Sequence, residues 1–266
     1  MSTEAPDTNT VALNIRELGD GPVLLLLHGL FGSSRNWVSV QKALAEHYHV
    51  VSVDLRNHGE SGWHDEMNYA VMAQDISNLI ASRGWEQVSV LGHSMGGKVA
   101  ITLALRQPPE LQRLIVADIA PVVYAPHHRE FIQAMLALDL SRIERRSDAD
   151  RQLASTIAEP GVRAFLLQNL VQKGPEWFWR FNLKALDESL VALGDFPAAI
   201  EASRWNGPVC VIRGGASDYI TTDGRAAFDR YFESVEHHAL AGAGHWLHAE
   251  QPAAFIDIVR RFMEVT

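Results

Sequence analysis

The sequence has a single cysteine and lacks any long hydrophobic run. Cys210 has no partner for an internal disulfide, and its aliphatic neighbours predict a buried core thiol. The aliphatic stretch Val23–Leu27 is too short to cross a bilayer, which takes about 20 residues. Residues 1–10 are polar and do not show the charged and then apolar pattern of a secretory signal. We therefore expect a cytoplasmic protein that has no membrane partner.

Basic clusters are absent as well. The chain has 23 lysine and arginine residues against 32 acidic ones, a formal net charge of −9, and no basic block. Nucleic acid is therefore not an expected partner. No grouping of cysteine, histidine and aspartate has metal-ligand spacing, which predicts a protein with no metal. The length of 266 residues and the apolar content of 47% fit a soluble globular protein with one large core.

Short apolar runs alternate with segments of helical periodicity, as in a largely parallel sheet covered by helices. Predicted strands occupy residues 11–17, 23–27, 50–54, 88–91, 114–117, 209–212 and 235–240. Predicted helices occupy residues 37–46, 69–83, 96–106, 224–232 and 253–263. Between residues 124 and 203 the alternation stops, and helical patterns follow at 131–138, 148–158 and 162–171. This segment, called the insert below, should lie over the carboxyl ends of the strands, where open α/β sheets bind ligands.

A candidate nucleophile lies in the pentapeptide Gly-His-Ser-Met-Gly at residues 92–96, which has the pattern G-x-S-x-G. The pentapeptide lies between a predicted strand and a predicted helix, a context in which the serine stands on a sharp turn. A serine hydroxyl needs such presentation to a base and to a substrate carbonyl, because it is a weak nucleophile by itself. Ser94 is therefore the candidate nucleophile, and an ordinary glycine-rich turn is the alternative.

A second glycine-containing loop, His-Gly-Leu-Phe-Gly at residues 28–32, follows the predicted strand 23–27. A loop of this kind can point a backbone N–H at the substrate oxygen. We expect the amides of Leu30 and Met95 to form the oxyanion hole. His28 is expected to shape the loop, because a better candidate for the base lies elsewhere in the chain.

That candidate base is His245, in the glycine-rich loop that follows the last predicted strand. The order of serine before histidine matches the chain order of a Ser-His-Asp triad in proteins where the serine stands on such a strand-to-helix turn. The chain has 12 histidines, and His248 is the nearest rival.

Two aspartates could orient the imidazole of His245. Asp118 follows the predicted strand 114–117, and Asp218 follows the predicted strand 209–212. Parallel strands carry both residues to the same edge of the sheet, where either could accept the Nδ1 hydrogen of the histidine. Each could equally be an aspartate that caps a loop.

Seven segments of the sequence together carry a family resemblance. They are HGLFGS at residues 28–33, DLRNHGES at 54–61, MNYAVMAQD at 67–75, GHSMGGK at 92–98, DIAPVVY at 118–124, WRFN at 179–182 and GAGHWLHAE at 242–250. With these segments the chain resembles the α/β-hydrolase superfamily, and within it the YbfF-type small bacterial esterases, over nearly its whole length. The resemblance implies an α/β-hydrolase fold with a mostly parallel eight-stranded sheet flanked by helices. It also implies a helical cap between strands six and seven.

The same resemblance implies hydrolysis of carboxylic esters, or of acyl thioesters, by a Ser-His-Asp triad without a cofactor. The core would comprise residues 1–123 and 204–266, and the cap residues 124–203. The aspartate of the DIAP segment is similar to the working acid of these esterases, which favours Asp118, with Ser217 near the triad. Asp218 stays the alternative acid, because it fills the position that is more common in the superfamily.

The insert is expected to determine the substrate. Trp177, Phe178 and Trp179 could form an apolar wall of the pocket or the core of the insert. We take Phe31, Trp179 and Trp246 as candidate pocket residues, and we expect small-molecule esters with short to medium acyl groups. A carbon–carbon bond hydrolase or lyase with the same triad stays open, as does a ligand-binding protein with little turnover.

Overall fold

The structure is a computed structural model that describes residues 9–125, 128–197 and 203–264. In chain order its strands are β1 (Ile15–Leu18), β2 (Val23–Leu27), β3 (His49–Val53), β4 (Val88–His93), β5 (Leu111–Ala117), β6 (Leu170–Lys173), β7 (Glu176–Trp179), β8 (Val209–Gly214) and β9 (Val235–Leu240). Its helices are α1 (Val38–Leu44), α2 (Tyr69–Arg83), α3 (Met95–Leu105), α4 (Arg129–Leu136), α5 (Arg146–Leu153), α6 (Pro160–Leu167), α7 (Leu183–Gly194), α8 (Thr222–Tyr231), α9 (Leu247–Glu250) and α10 (Pro252–Glu264). Short 3₁₀ turns occupy Ser34–Trp37 and Leu140–Arg142.

The main sheet has the strand order β1-β3-β2-β4-β5-β8-β9. Only β1 runs antiparallel to its neighbour, and the other pairings are parallel. The interior strand β2 consists entirely of aliphatic residues, and its side chains alternate between two cores. Leu25 and Leu27 pack on the side of α2 and α3, whereas Leu24 and Leu26 pack on the side of α1 and α10. Burial on both faces explains why the strand is continuously apolar.

The α/β-hydrolase fold predicted from the sequence is confirmed, with seven strands in the described part of the sheet instead of eight. The first strand also differs from its predicted bounds of 11–17, because β1 begins only at Ile15 and ends at Leu18. Residues 12–14 bond to the loop after β3 instead of to a strand: Gly62 N–H donates to Ala12 O at 2.9 Å, and Asn14 N–H donates to Ser61 Oγ at 2.8 Å. With one strand fewer ahead of it, the insert follows the fifth strand of the sheet.

The insert contains α4, α5, α6 and α7, and also a two-stranded hairpin, β6–β7, that the helical patterns did not predict. The predicted helix 162–171 was therefore wrong at its end. The chain leaves α6 after Leu167, and Gly174, with φ of 60°, forms the turn of the hairpin. The predicted helix 148–158 begins earlier and ends at Leu153. Residues 198–202 of the insert and residues 1–8, on which the expectation about a secretory signal rests, lie outside the described residues.

Candidate active site

Ser94 lies on the turn between β4 and α3 with φ of 52° and ψ of −119°, a conformation that L residues rarely adopt. The turn is possible because glycines flank it. A Cβ at Gly92 would lie 2.1 Å from the carbonyl oxygen of Gly96, and one at Gly96 would lie 2.4 Å from that of Leu27. The Ser94 N–H donates to Ala117 O of the next strand at 2.9 Å. These contacts hold the serine at the carboxyl edge of the sheet.

The imidazole of His245 lies between Ser94 and Asp118. Its Nε2 is 3.0 Å from Ser94 Oγ, and its Nδ1 is 2.8 Å from Asp118 Oδ2. With the hydrogen on Nδ1, the ring donates to the carboxylate and accepts from the serine hydroxyl, which is the arrangement that a general base requires. The ring stacks on Tyr219 at 3.9 Å between centroids, and His93 Nε2–H donates to the His245 carbonyl at 2.8 Å. The histidine is thus fixed from both sides.

The two candidate acids have different surroundings. Asp118 directly follows β5 and is 0% exposed. Its carboxylate accepts hydrogen bonds from Gly214 N–H, at 2.9 Å, and from the hydroxyl of Ser217. Asp218 is exposed, and within the described ranges no hydrogen bond or ion pair joins it to His245. The structure therefore brings Ser94, His245, Asp118 and Ser217 together and leaves Asp218 outside the group.

The loop after β2 is held by two buried histidines. His28 Nε2 accepts from Leu55 N–H at 3.0 Å, and His58 Nε2 accepts from Phe31 N–H at 3.3 Å. His28 thus has the loop-shaping position that the sequence predicts. His58 was not selected from the sequence, although it lies within the DLRNHGES segment that supports the family resemblance.

The two predicted oxyanion donors belong to different elements beside Ser94. In the loop after β2, the amides of Phe31 and Gly32 already donate hydrogen bonds within the protein. No hydrogen bond of the Leu30 amide is seen within the described residues. Met95 is the first residue of α3, where an amide has no acceptor within its own helix. The geometry leaves both N–H groups available to a substrate oxygen.

Burial keeps four histidines around the site neutral. It lowers the pKa of His58 to about 3 and that of His248 to about 4, and it lowers the pKa values of His28 and His93 as well. An unfolded histidine has a pKa of about 6.5, so below that pH the unfolded chain binds protons that the folded chain does not. The stability that these residues contribute is thus present above pH 6.5 and is lost as the pH falls toward the folded-state pKa values.

We therefore expect the free energy of unfolding to fall between pH 7 and pH 5 by about 2 kcal/mol for each of His58 and His248. Urea unfolding at the two pH values measures the difference. His58→Gln should reduce the pH-dependent loss by about 2 kcal/mol, because it removes one of the titrating groups. His47→Gln, at an exposed position, should leave the loss unchanged. Equal stability of the wild-type chain at both pH values would contradict the expectation.

Two cavities meet at Ser94, with volumes of about 250 Å³ and about 60 Å³. Residues that line both are Leu30, Ser94, His128 and Tyr219. The larger cavity is further lined by His28, Gly29, Phe31, Gly32, Asn36, Trp37, His93, Phe131, Val162, Phe165, Leu166, His245, Trp246 and His248. The smaller is further lined by Tyr69, Met95, Lys98, Ile119, Tyr124, Ala125, Leu190, Leu193 and Gly194. Side chains of the insert thus contribute to both cavities.

Of the three predicted pocket residues, Phe31 and Trp246 line the larger cavity. The prediction for Trp179 was wrong, because within the described residues it lines neither cavity. Its ring is buried in the insert and stacks on Phe181 at 6.2 Å between centroids. Its position in β7 directs it into the core of the insert, as does that of Trp177, whereas Phe178 is 41% exposed.

Lys98 is a functional candidate that the sequence interpretation missed. It lies one helical turn after Ser94 and is 1% exposed. Its Nζ donates to the carbonyls of Gly194, at 3.0 Å, and Asp195, at 2.7 Å. Burial lowers the pKa of Lys98 to about 7, against the opposing charge of Asp195. Lys98 lies in the first turn of α3, four residues after the serine that precedes the helix, and this spacing is the signal that could have identified it.

The sequence matches the family model described as alpha/beta hydrolase fold over residues 22–252. The chain is 38% identical over 250 residues to the sn-1-specific diacylglycerol lipase ABHD11 of Mus musculus, covering 91% of this chain and 81% of that protein. It is 34% identical over 244 residues to Esterase YbfF of Escherichia coli K12, covering 90% and 92% of the two chains. A solved structure, Marine microorganism esterase, superposes with a TM-score of 0.91 at 34% identity, covering 95% of this chain and 99% of its own.

None of the helices in the described ranges combines the length and the apolar character needed to span a bilayer. Among the same residues, no group of three or more histidine, cysteine, aspartate or glutamate side chains is placed to hold a metal ion. The expectations of no metal, no cofactor and no nucleic-acid partner stay predictions. The family match and the two relatives confirm the resemblance inferred from the sequence motifs. The chain belongs to the α/β-hydrolase fold family.

Proposed function

We propose that this carboxylic ester hydrolase acts as a serine esterase, with Ser94 as nucleophile, His245 as general base and Asp118 as the acid of the triad. The observation that carries the proposal is the continuous chain of hydrogen bonds from Ser94 Oγ through the imidazole to the buried carboxylate. The relatives named as esterases and lipases support the same chemistry.

The reaction would proceed through an acyl-enzyme. His245 takes the hydroxyl proton of Ser94 as the oxygen attacks the acyl carbonyl carbon, and the carbonyl oxygen becomes an oxyanion at the Leu30 and Met95 amides. The bond to the alcohol oxygen then breaks, and that oxygen receives the proton from His245. Water then gives a proton to His245 as its oxygen attacks the acyl carbon. The bond from that carbon to Ser94 Oγ breaks, Oγ takes the proton back from His245, and the carboxylic acid leaves. Asp118 holds the imidazole in the required tautomer and stabilises its protonated form.

Acyl thioesters fit the same steps, because the serine attacks the same carbonyl carbon and the thiol leaves in place of the alcohol. We propose short to medium acyl groups for both classes of substrate. We further propose that the insert, residues 124–203, acts as a cap on a core of residues 1–123 and 204–266. The contributions of Phe131 and Phe165 to the larger cavity support this division.

A cytoplasmic location is proposed on the basis of the single cysteine. Cys210 is buried, and burial raises the pKa of its thiol well above the ordinary value, so an inert core thiol is expected. The proposed partner is a small-molecule substrate.

Turnover of p-nitrophenyl butanoate tests the proposed function. We expect a rapid first release of nitrophenol, equal to the amount of enzyme, followed by steady turnover, because the acyl-enzyme accumulates before hydrolysis. A butanoyl thioester should be cleaved by the same preparation. A 1,5-diketone supplied in parallel should stay intact. Cleavage of the diketone without cleavage of any ester would favour the carbon–carbon hydrolase, and one nitrophenol per chain without steady turnover would favour a binding protein.

A further inference from the structure

The two cavities at Ser94 differ in size and in their relation to the base. The larger, of about 250 Å³, is lined by His245, and the smaller, of about 60 Å³, is not. A water-sized group takes about 10–15 Å³ of cavity volume, so the smaller cavity holds about four to six non-hydrogen atoms. The described walls of the smaller cavity therefore enclose space for a short chain.

The direction of proton transfer decides which part of an ester enters which cavity. At the tetrahedral intermediate the oxyanion points to the Leu30 and Met95 amides, and the leaving oxygen must reach His245 Nε2 to receive its proton. The alcohol part then extends on the side that His245 lines. The acyl chain has to extend on the other side of the reacting carbon, toward the smaller cavity.

We propose, on the basis of the proposed function, that the smaller cavity is the acyl site and the larger cavity is the alcohol site. The preferred substrates are thus esters of short carboxylic acids with bulkier, apolar and uncharged alcohols. A butanoyl group has three carbons beyond its carbonyl and fits the smaller cavity. An octanoyl group has seven and does not.

The wall of the acyl site is held in place by hydrogen bonds between the core and the carboxyl end of α7. Lys98 Nζ donates to the carbonyls of Gly194 and Asp195, and Tyr69 Oη–H donates to Leu193 O at 2.6 Å. Within the insert, the Tyr124 N–H also donates to Gly194 O, at 2.8 Å. These bonds leave the acyl site little freedom to widen for a longer chain.

The alcohol site has a different character. Phe165 of α6 and Trp246 of the loop after β9 approach each other at 5.3 Å between ring centroids, and Phe131 and Val162 extend the apolar lining. Among the described residues, no lysine, arginine, aspartate or glutamate lines this cavity. An anionic or cationic alcohol would find no counter-charge there, so burying it would be costly.

Two ester series measured on the wild-type protein test the assignment. In the first, the alcohol is nitrophenol and the acyl group grows from acetyl to octanoyl; we expect kcat/KM to fall at least about tenfold between butanoyl and octanoyl. In the second, the acyl group is acetyl and the alcohol grows from ethanol to hexanol; we expect kcat/KM to rise about two- to fourfold for each added methylene. The reverse pattern, with long acyl chains preferred and alcohol size without effect, would overturn the assignment.

A matched pair of variants in α7 tests the acyl site directly. Leu190 lines the smaller cavity, whereas Leu186, one turn earlier and equally buried, does not. Leu190→Ala should raise the ratio of octanoyl to butanoyl kcat/KM by at least about tenfold, and Leu186→Ala should leave the ratio unchanged. The ratio does not depend on the fraction of folded protein, and Leu190→Val serves if the alanine variant does not fold. An unchanged ratio in both Leu190 variants would contradict the assignment.

The outcomes separate this inference from the proposed function. If no ester of either series is cleaved, the proposed function fails and the assignment has no basis. If esters are cleaved but the upper limit on chain length applies to the alcohol part and not to the acyl part, the esterase function is supported and only the assignment of the two cavities is wrong.

Discussion

Asp118→Asn is expected to lower kcat for ester hydrolysis about 10⁴-fold with little effect on KM, because an amide favours the wrong tautomer of the imidazole and cannot balance its positive charge. The carboxylate lies 2.8 Å from His245 Nδ1 and is fully buried, so no solvent can replace it. Steady-state kinetics on p-nitrophenyl butanoate measure the loss. The thermal unfolding midpoint of the same sample shows whether the fold is kept.

Asp218→Asn is the matched control. Asp218 is exposed, and like Asp118 it is an aspartate that follows a strand of the sheet. Its replacement is expected to change kcat by less than about twofold, as for a surface position outside the site. A large loss in Asp218→Asn, or comparable losses in both variants, would mean that Asp118 is not the sole acid.

Ser94→Ala is expected to abolish the acyl-enzyme route and to lower kcat by more than about 10⁴-fold. The fold should survive, because the Ser94 hydroxyl contacts only the imidazole among the hydrogen bonds described. Any effect on stability is expected to be small, because alanine must adopt the same positive φ at this position as serine does. Substrate binding measured by competition should be close to that of the wild-type chain, since the cavities keep their walls.

Several elements could be predicted from the sequence because their signals are local. The predicted helix at residues 69–83 has the bounds of α2, since Asn68 caps its first turn and Gly84, with φ of 63°, ends it. The turn at Ser94 is local in part: a Cβ at Gly92 would meet Gly96 within the turn, whereas a Cβ at Gly96 would meet Leu27 of β2, far away in the chain. The sequence still predicts the turn, because the pentapeptide at residues 92–96 contains both glycines.

Other features depend on segments that are far apart in the chain. The hairpin β6–β7 has strands of four residues each, and its stability comes from pairing and from packing within the insert, which periodicity does not reveal. The smaller cavity combines side chains from α2, α3 and α7, so no single stretch of sequence indicates it.

The choice between Asp118 and Asp218 could not be made from strand positions alone. Both follow parallel strands that end at the same edge. What separates them in space is the turn after β8, in which Ser217 N–H donates to Gly214 O at 3.3 Å and the Ser217 hydroxyl reaches Asp118. That turn directs Ser217 inward and leaves Asp218 at the surface, a difference of one residue that strand prediction does not resolve.

Labelling with a fluorophosphonate is the most direct measurement of whether Ser94 is the nucleophile. Peptide mass spectrometry of the labelled wild-type protein should find one phosphonyl group per chain, on the peptide that contains Ser94, with complete loss of ester turnover. The Ser94→Ala protein should stay unlabelled. A label on another residue, or full ester turnover in a protein labelled at Ser94, would contradict the assignment of this serine as the nucleophile.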